Sequence, residues 1–308
     1  MERLLGSSKK EPVGVRSPGD VWTSKPAEKA MEMRGDPRAA WSHLQTVSPC
    51  TVVEKLADPS SPCPEGHTRF VCLSDTHGLS KHFQFEVPWG HVLLHAGDFT
   101  DVGQPSQVKE FNDYLAGLPH EHKIVIAGNH ELTFHSEQWD GFQAKSRFTV
   151  HLPELKEATS DGVKALLKDC TYIEDAEVIV RGFRIYGSPW QPEFCDWAFN
   201  LPRGDACLEK WQRIPSNIDI LMTHGPPVGY GDLVDSNGLR AGCVDLLREI
   251  QHRIKPKFHV FGHIHQAYGI TTDGVTTYIN ASNCDIRYCP RQVPIVFDLP
   301  NPTESAAE

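Results

Sequence analysis

The sequence predicts an α/β protein with a mixed sheet system, and three observations support this fold class. From Arg69 onward, short apolar runs typical of buried strands alternate with segments of helical periodicity. Two alternating runs flank Gly182, which indicates an antiparallel hairpin. Two further strand-like runs near the C-terminus have no helix between them. Because hairpins and helix-linked strands occur in one chain, the sheets are expected to be mixed rather than purely parallel.

The predicted elements follow one another in a regular order. Five buried strands are expected at residues 69–74, 91–95, 123–127, 218–222 and 258–261. Helices are expected at residues 106–118, 160–167 and 243–254. The hairpin spans residues 178–186, and the last two strands are expected at residues 276–279 and 294–298.

Composition divides the chain into three parts. Residues 1–66 are rich in Pro, Ser, Lys and Glu with few apolar clusters, which is typical of a flexible arm. Within that arm, Trp22, Trp41 and Leu44 are candidates for docking on the domain. Residues 67–300 carry the predicted strands and helices and form the expected domain. Residues 301–308 are expected to be a frayed C-terminal tail.

Charge and cysteine usage narrow the class of protein. A net charge of −10 without a long basic run argues against DNA as a partner, because binding to phosphate backbones needs a positive surface. The nine scattered cysteines and the absence of an apolar leader after Met1 favour a cytoplasmic protein with free thiols. No segment approaches the roughly 20 apolar residues of a membrane span. Metal ions could still reverse the local sign and admit a small anionic substrate.

A polar cluster follows each of the five predicted buried strands. The clusters are residues 74–78, 97–101, 128–131, 223–227 and 262–265. Because ligands of α/β sheets bind beyond the carboxyl ends of strands, we expect these clusters to converge. Their Asp, His and Asn side chains suit Mn²⁺, Fe, Zn²⁺ or Mg²⁺, and the lack of Cys disfavours a structural zinc site. The clusters therefore predict a metal site.

The ordered motifs D-x-H, G-D-x-x-D, G-N-H-E, T-H-G and G-H-x-H resemble those of the calcineurin-like metallophosphoesterase superfamily. Residues 74–300 resemble more closely its metallophosphoesterase-domain-containing (MPPED) group, which lies near the class III cyclic-nucleotide phosphodiesterases. The resemblance implies an α/β sandwich of two mixed β-sheets flanked by helices. It also implies two divalent metal ions, with Mn²⁺ as the first expectation and Fe, Zn²⁺, Mg²⁺ or Co²⁺ as alternatives. The implied metal ligands are Asp75, His77 and His265 for the first ion, Asn129, His224 and His263 for the second, and Asp98 for both.

The same resemblance implies roles around the substrate. His130 would face the substrate phosphate without binding metal, and Asn129 and His263 would also contact the substrate. Asp101 would accept a hydrogen bond from His130 and orient its ring, as residues behind a ligand do. We expect Glu131 to support the turn around Asn129 rather than to bind metal.

The implied reaction is hydrolysis of phosphodiester bonds in small substrates by a hydroxide held between the metals, with 3′,5′-cyclic nucleotides as candidate substrates. One alternative is a protein phosphatase of the same superfamily. Those enzymes carry an Arg after the second Asp of G-D-x-x-D, where this chain has Val102. The other alternative is a low-turnover nucleotide-binding or scaffold protein, against which the complete ligand set weighs. The sequence leaves the oligomeric state open.

Overall fold

The computed structural model describes residues 18–139 and 152–302, in which strands form two large sheets and one small pair. The strands are β1 Thr51–Val53, β2 His67–Leu73, β3 Val92–His95, β4 His122–Val125, β5 Thr171–Tyr172, β6 Ala176–Val180, β7 Phe183–Ser188, β8 Gln191–Pro192, β9 Asn200–Leu201, β10 Ile220–Thr223, β11 Phe258–Phe261, β12 Gly269–Thr272, β13 Thr277–Asn280 and β14 Ile295–Pro300.

The helices of the described residues are mostly short. The α-helices are α1 Lys25–Glu32, α2 Pro37–Leu44, α3 Pro105–Ala116, α4 Glu154–Glu157, α5 Ser160–Lys164, α6 Asp205–Gln212 and α7 Val244–Glu249, which a π-helical segment at Ile250–Ile254 continues. Short 3-10 helices lie at Pro18–Thr23, Ser80–His82, Leu132–Phe134 and His265–Ala267. Within the described parts of the chain, no helix is both long enough and apolar enough to cross a membrane.

Both large sheets mix parallel and antiparallel pairs. The seven-stranded sheet has the order β1-β12-β13-β11-β10-β7-β6, and the four adjacent strands β13, β11, β10 and β7 are parallel to one another. The five-stranded sheet has the order β14-β2-β3-β4-β5, in which only β14 is antiparallel to its neighbour. Two mixed sheets flanked by helices confirm the fold class predicted from the sequence.

An apolar core joins the two sheets. Alternate residues of β2, such as Phe70 and Cys72, are fully buried in a cluster that also contains Met222 of β10 and Val260 of β11. Phe297 of β14 stacks on Phe70 at a ring-centroid distance of 4.9 Å. Since strands alternate the faces of their side chains, the residues between these pack toward the helices instead. The two sheets therefore share one core, which fixes the positions of their strand ends relative to one another.

Residues 18–66 differ from the flexible arm that their composition predicted. Helices α1 and α2 begin at side-chain caps, Ser24 and Asp36, each followed by a proline in the first turn. Leu44 is fully buried, Trp41 is 8% exposed, and β1 pairs with β12. This burial confirms the expected docking of Trp41 and Leu44. A few apolar residues on one face of a helix are enough to bury that face against the domain. Residues 1–17 and 303–308 lie outside the described residues.

Candidate metal centre

Five parallel strands from both sheets end at one place in the fold. Strands β2, β3 and β4 belong to the five-stranded sheet, and β10 and β11 belong to the seven-stranded sheet. Each is followed by one of the polar clusters, and the loops bring the seven predicted ligands together. Among the described residues, six of these ligands and His130 form three groups, and the ligand atoms within each group lie within 4.8 Å of one another. The predicted convergence at the carboxyl ends of the strands is thus what the structure shows.

The first group consists of Asp75, His77 and His265. The Nε2 atom of His265 lies 3.3 Å from Oδ1 of Asp75 and 3.2 Å from Nε2 of His77. The other nitrogen of His265, Nδ1, donates to the carbonyl oxygen of Asp285 at 3.0 Å. This bond directs the lone pair of Nε2 toward Asp75, as in metal-ligating histidines. Ser282 donates to Oδ2 of Asp75 at 2.9 Å and holds that carboxylate in place.

The second group consists of Asp98, His224 and His263, with Asn129 beside them. Nε2 of His224 lies 3.2 Å from Oδ2 of Asp98 and 3.0 Å from Oδ1 of Asn129. Nδ1 of His224 donates to the carbonyl oxygen of Ala96 at 2.9 Å, so its Nε2 faces two oxygen acceptors. Three electron-rich atoms therefore meet at this point.

Asp98 lies between the two groups. Its Oδ2 is 3.2 Å from Nε2 of His224 in the second group and 4.0 Å from Nε2 of His77 in the first. Its Oδ1 accepts the backbone amide of His130 at 2.9 Å, which fixes the carboxylate plane. A carboxylate in this position can contribute to both groups at once.

These clusters fit divalent cations for electrostatic reasons. Buried lone pairs that face each other repel unless a positive charge lies between them. Burial opposes a charge on His224, but the carboxylates of Asp98 and Asp75 raise its pKa to about 9. Burial lowers the pKa of His77 and of His263 to about 3, which keeps both rings neutral and able to ligate. Nδ1 of His77 is also buried without a hydrogen-bond partner among the described residues.

Several of the predicted ligands have a strained backbone conformation. Four of them adopt positive φ angles, namely Asp75 (53°), His77 (44°), Asp98 (55°) and His263 (67°). Side chains other than glycine rarely adopt this conformation, and such strain is typical of functional sites. Gly262 permits the closest approach, since a Cβ atom there would lie 1.9 Å from Oδ2 of Asp75.

Glu131 joins two of the loops without entering the clusters. Its carboxylate accepts four hydrogen bonds, from the amides of Asp98 (2.9 Å), Thr100 (2.9 Å) and Gly128 (2.7 Å) and from the hydroxyl of Thr100 (2.9 Å). Burial and the nearby charge of Asp98 raise its pKa to about 8, and these donors oppose that rise. The structure confirms that Glu131 supports the turn around Asn129.

The predicted contact between His130 and Asp101 exists in a different form. Nδ1 of His130 donates at 2.6 Å to the main-chain carbonyl oxygen of Asp101. The carboxylate of Asp101 points away and accepts a hydrogen bond from Gln107 at 3.2 Å. The main chain of Asp101 therefore orients the ring of His130, and the side chain of Asp101 does not make this contact. The ring of His130 also stacks on Trp197 at 4.2 Å, a contact that sequence reasoning missed.

A cavity of about 450 Å³ opens above the clusters. Asp98, Asn129, His130, His263 and His265 line its floor. Its size falls within the usual range for small-molecule sites, about 300–1,000 Å³. Two wall residues were not foreseen, Phe194 and Tyr288, because nothing in their local sequence marks them as neighbours of a site distant along the chain.

The two-sheet fold and the clusters of Asp, His and Asn at converging strand ends define the metallophosphoesterase class. The sequence profile of the Calcineurin-like phosphoesterase family matches residues 68–267. The chain belongs to this family.

Curated relatives are similar over most of the chain. The human and the mouse Metallophosphoesterase domain-containing protein 1 are each 53% identical to it over 255 residues, which are 82% of this chain and 78% of theirs. A UPF0046 protein of Caenorhabditis elegans is 41% identical over 275 residues, covering 86% of this chain and 68% of its own. The family and the His and Asp clusters together indicate a hydrolase that binds divalent metal.

Proposed function

We propose that this protein is a dinuclear-metal-dependent phosphodiesterase that hydrolyses small phosphodiesters, with 3′,5′-cyclic nucleotides as candidate substrates. The observation that carries the proposal is the position of Asp98, whose Oδ2 lies 3.2 Å from Nε2 of His224 in the second group and 4.0 Å from Nε2 of His77 in the first. Two cations held this way would neutralise the charge of a phosphodiester and supply an activated water. Membership of the family supports the reaction class.

Each predicted ligand has a place in this proposal. Carboxylate, imidazole and amide oxygen together favour Mn²⁺ as the first candidate metal, with Fe, Zn²⁺, Mg²⁺ and Co²⁺ as alternatives. The first cation is assigned to Asp75, His77 and His265, the second to Asn129, His224 and His263, and Asp98 serves both. The proposed compartment is the cytoplasm, in keeping with nine cysteines that form no disulfide in the described residues.

His130 is the proposed catalytic residue outside the ligand set. The carbonyl of Asp101 holds the Nδ1 proton, and the stacking on Trp197 limits rotation of the ring. The Nε2 atom is thereby left to contact a phosphate oxygen or to donate a proton to the leaving oxygen. A positioned acid of this kind typically contributes about 10²–10⁴-fold to a rate. Asn129 and His263 line the same floor and are the proposed further substrate contacts.

A diester is favoured over a phosphate monoester by the charges of the cavity. Monoesters carry a second negative charge, for which related phosphatases use the Arg that is replaced here by Val102. The two arginines that line the cavity are already bonded, Arg203 to the carbonyls of Ala241 and Gly242 and Arg240 to Asp232. The site thus offers little further positive charge beyond bound metal.

The test compares two chromogenic substrates with Mn²⁺-loaded protein. We expect hydrolysis of bis-p-nitrophenyl phosphate to exceed that of p-nitrophenyl phosphate, and bound metal to approach two ions per chain by elemental analysis. His224→Ala should lower the diesterase rate by about 100-fold or more, since even outer-shell changes typically cost 10–100-fold. His82→Ala, at an exposed histidine, is the matched control. A preference for the monoester, or unchanged activity in His224→Ala, would contradict the proposal.

A further inference from the structure

The mouth of the cavity is unusually apolar for a site that handles a charged group. Four large apolar or aromatic side chains line it while remaining exposed to solvent, namely Phe194 (54%), Leu239 (52%), Ile286 (64%) and Tyr288 (48%). Exposed apolar side chains that gather around one cavity are typical of binding surfaces rather than of ordinary protein surface.

The two aromatic residues flank the metal clusters on different sides. The ring of Phe194 lies 5.7 Å from the ring of His263, in the second ligand group. The ring of Tyr288 lies 4.7 Å from His77 and 5.2 Å from His265, both in the first group. A phosphate placed over the clusters would therefore have an aromatic surface close to either of its ester groups.

Both aromatic residues are held by hydrogen bonds of their loops. Asn200 donates through Nδ2 to the carbonyl oxygens of Phe194 (3.1 Å) and Cys195 (2.8 Å). The amide of Tyr288 donates to the carbonyl oxygen of Asp285 at 2.9 Å, and the same carbonyl accepts Nδ1 of His265. The loop of Tyr288 is thus tied to a predicted metal ligand. Apolar walls that are ordered before binding lose little entropy when a substrate arrives.

The charges of the cavity limit the substrate to one phosphate. Arg203 donates to two carbonyl oxygens at 2.7 Å, and Arg240 pairs with the fully buried Asp232 and lies over the ring of Trp41. Glu193 adds a negative charge to the lining. Among the described lining residues, no cationic side chain stands unbonded to receive a second phosphate.

We propose that the cavity selects phosphodiesters with a single phosphate and an apolar aromatic or alkyl ester group, which packs against Phe194, Tyr288, Leu239 and Ile286. This inference rests on the proposed diesterase function and, within it, favours an apolar ester group over the polar ribose of the 3′,5′-cyclic nucleotides. The apolar ester group supplies binding energy beside the phosphate, and the enzyme distinguishes its substrates by that group.

The experiment uses p-nitrophenyl phosphodiesters whose second ester group is methyl, n-butyl or benzyl. Charge and leaving group are the same in all three, so differences in kcat/KM report on the retained group. Each methylene that enters an apolar site improves binding by about fourfold, and we expect n-butyl and benzyl esters to exceed the methyl ester by about 10- to 50-fold. The butyl and benzyl arms separate a general apolar surface from an aromatic one.

Phe194→Ala should reduce the benzyl-to-methyl ratio of kcat/KM by about tenfold while bound metal stays at the unsubstituted value. The matched control is Trp89→Ala. Trp89 is 50% exposed and lies just before the start of β3, at the opposite end of the strand from the site. Equal kcat/KM values for the three esters, or an unchanged ratio in Phe194→Ala, overturn the inference and leave the diesterase function standing. A failure to hydrolyse any of the esters overturns the proposed function and the inference with it.

Discussion

Replacing Gly262 with alanine should separate metal binding from the integrity of the fold. A Cβ atom at this position would lie 1.9 Å from Oδ2 of Asp75 and 2.1 Å from Oγ of Ser74. Carbon and oxygen atoms in contact are normally more than 3 Å apart, so one side must move by about 1 Å or more. Asp75 is the more consequential neighbour, because it is a proposed ligand of the first metal.

The magnitude follows from the size of this displacement. A misplacement of about 1 Å in a reacting site can cost about 10²-fold in rate, whereas crowding a packed interior typically costs about 1–3 kcal/mol of stability. We therefore expect Gly262→Ala to lose at least one bound metal ion and about 100-fold in diesterase rate, yet to remain folded in urea titrations.

Gly35→Ala is the matched control, because no atom lies within 4 Å of the Cβ position at that exposed glycine. It should bind metal and hydrolyse the diester at the unsubstituted rate. If Gly262→Ala retained two metal ions and full activity, the close packing of Gly262 against Asp75 could not be what holds this ligand in place.

Three further changes test other parts of the structure. Trp41→Ala should lower the free energy of unfolding by about 3–5 kcal/mol, because the indole packs against Gly229 and Tyr230. The control is Val52→Ala at an exposed position, for which we expect a loss below about 1 kcal/mol. A loss that small in Trp41→Ala would contradict this packing. Burial lowers the pKa of His135 to about 4, from about 6.5 for a free imidazole. The neutral buried ring therefore contributes fully to the free energy of unfolding above pH 6.5, and this contribution falls by about 2 kcal/mol when the pH is lowered to 5. Urea titrations at pH 7 and pH 5 should therefore show a smaller difference in His135→Gln than in the unsubstituted protein, and equal differences would contradict the assignment. Removing metal with a chelator should lower the melting temperature, by an amount equivalent to about 4 kcal/mol if metal was present at 1,000 times its Kd, and an unchanged melting curve would argue against metal bound at these clusters.

Much of the site could be predicted because its signals are local. An apolar run followed within two residues by Asp or His, as at Leu73 and Asp75, identifies both a buried strand and the polar group at its end. Parallel strands of one sheet present those ends at the same edge, so separate motifs could be assigned to one place. The hairpin around Gly182 was predictable for a similar reason, since the alternating runs and the glycine between them are both local signals. The structure shows the positive φ angles of a tight turn there, at Arg181 (52°) and Gly182 (84°).

Other features depended on contacts between distant parts of the chain. Composition alone suggested a flexible arm before residue 67, yet Trp41 finds its partner at Gly229, far away in sequence. Asp101 was expected to act through its carboxylate, and only the path of the loop showed that its carbonyl oxygen meets His130. Strand β12 was not foreseen, because its pairing with β13 compensates for a weak local pattern.

The sequence by itself determined the residue types at the strand ends and hence the kind of chemistry they can perform. The tertiary structure decided which atoms face one another: that Asp98 lies between the two ligand groups, that Nε2 of His224 and not Nδ1 points inward, and that Phe194 and Tyr288 form the walls. Donor type and strand periodicity are encoded in neighbouring residues. Distances between loops arise only when both sheets pack around a common core, and no local pattern records them.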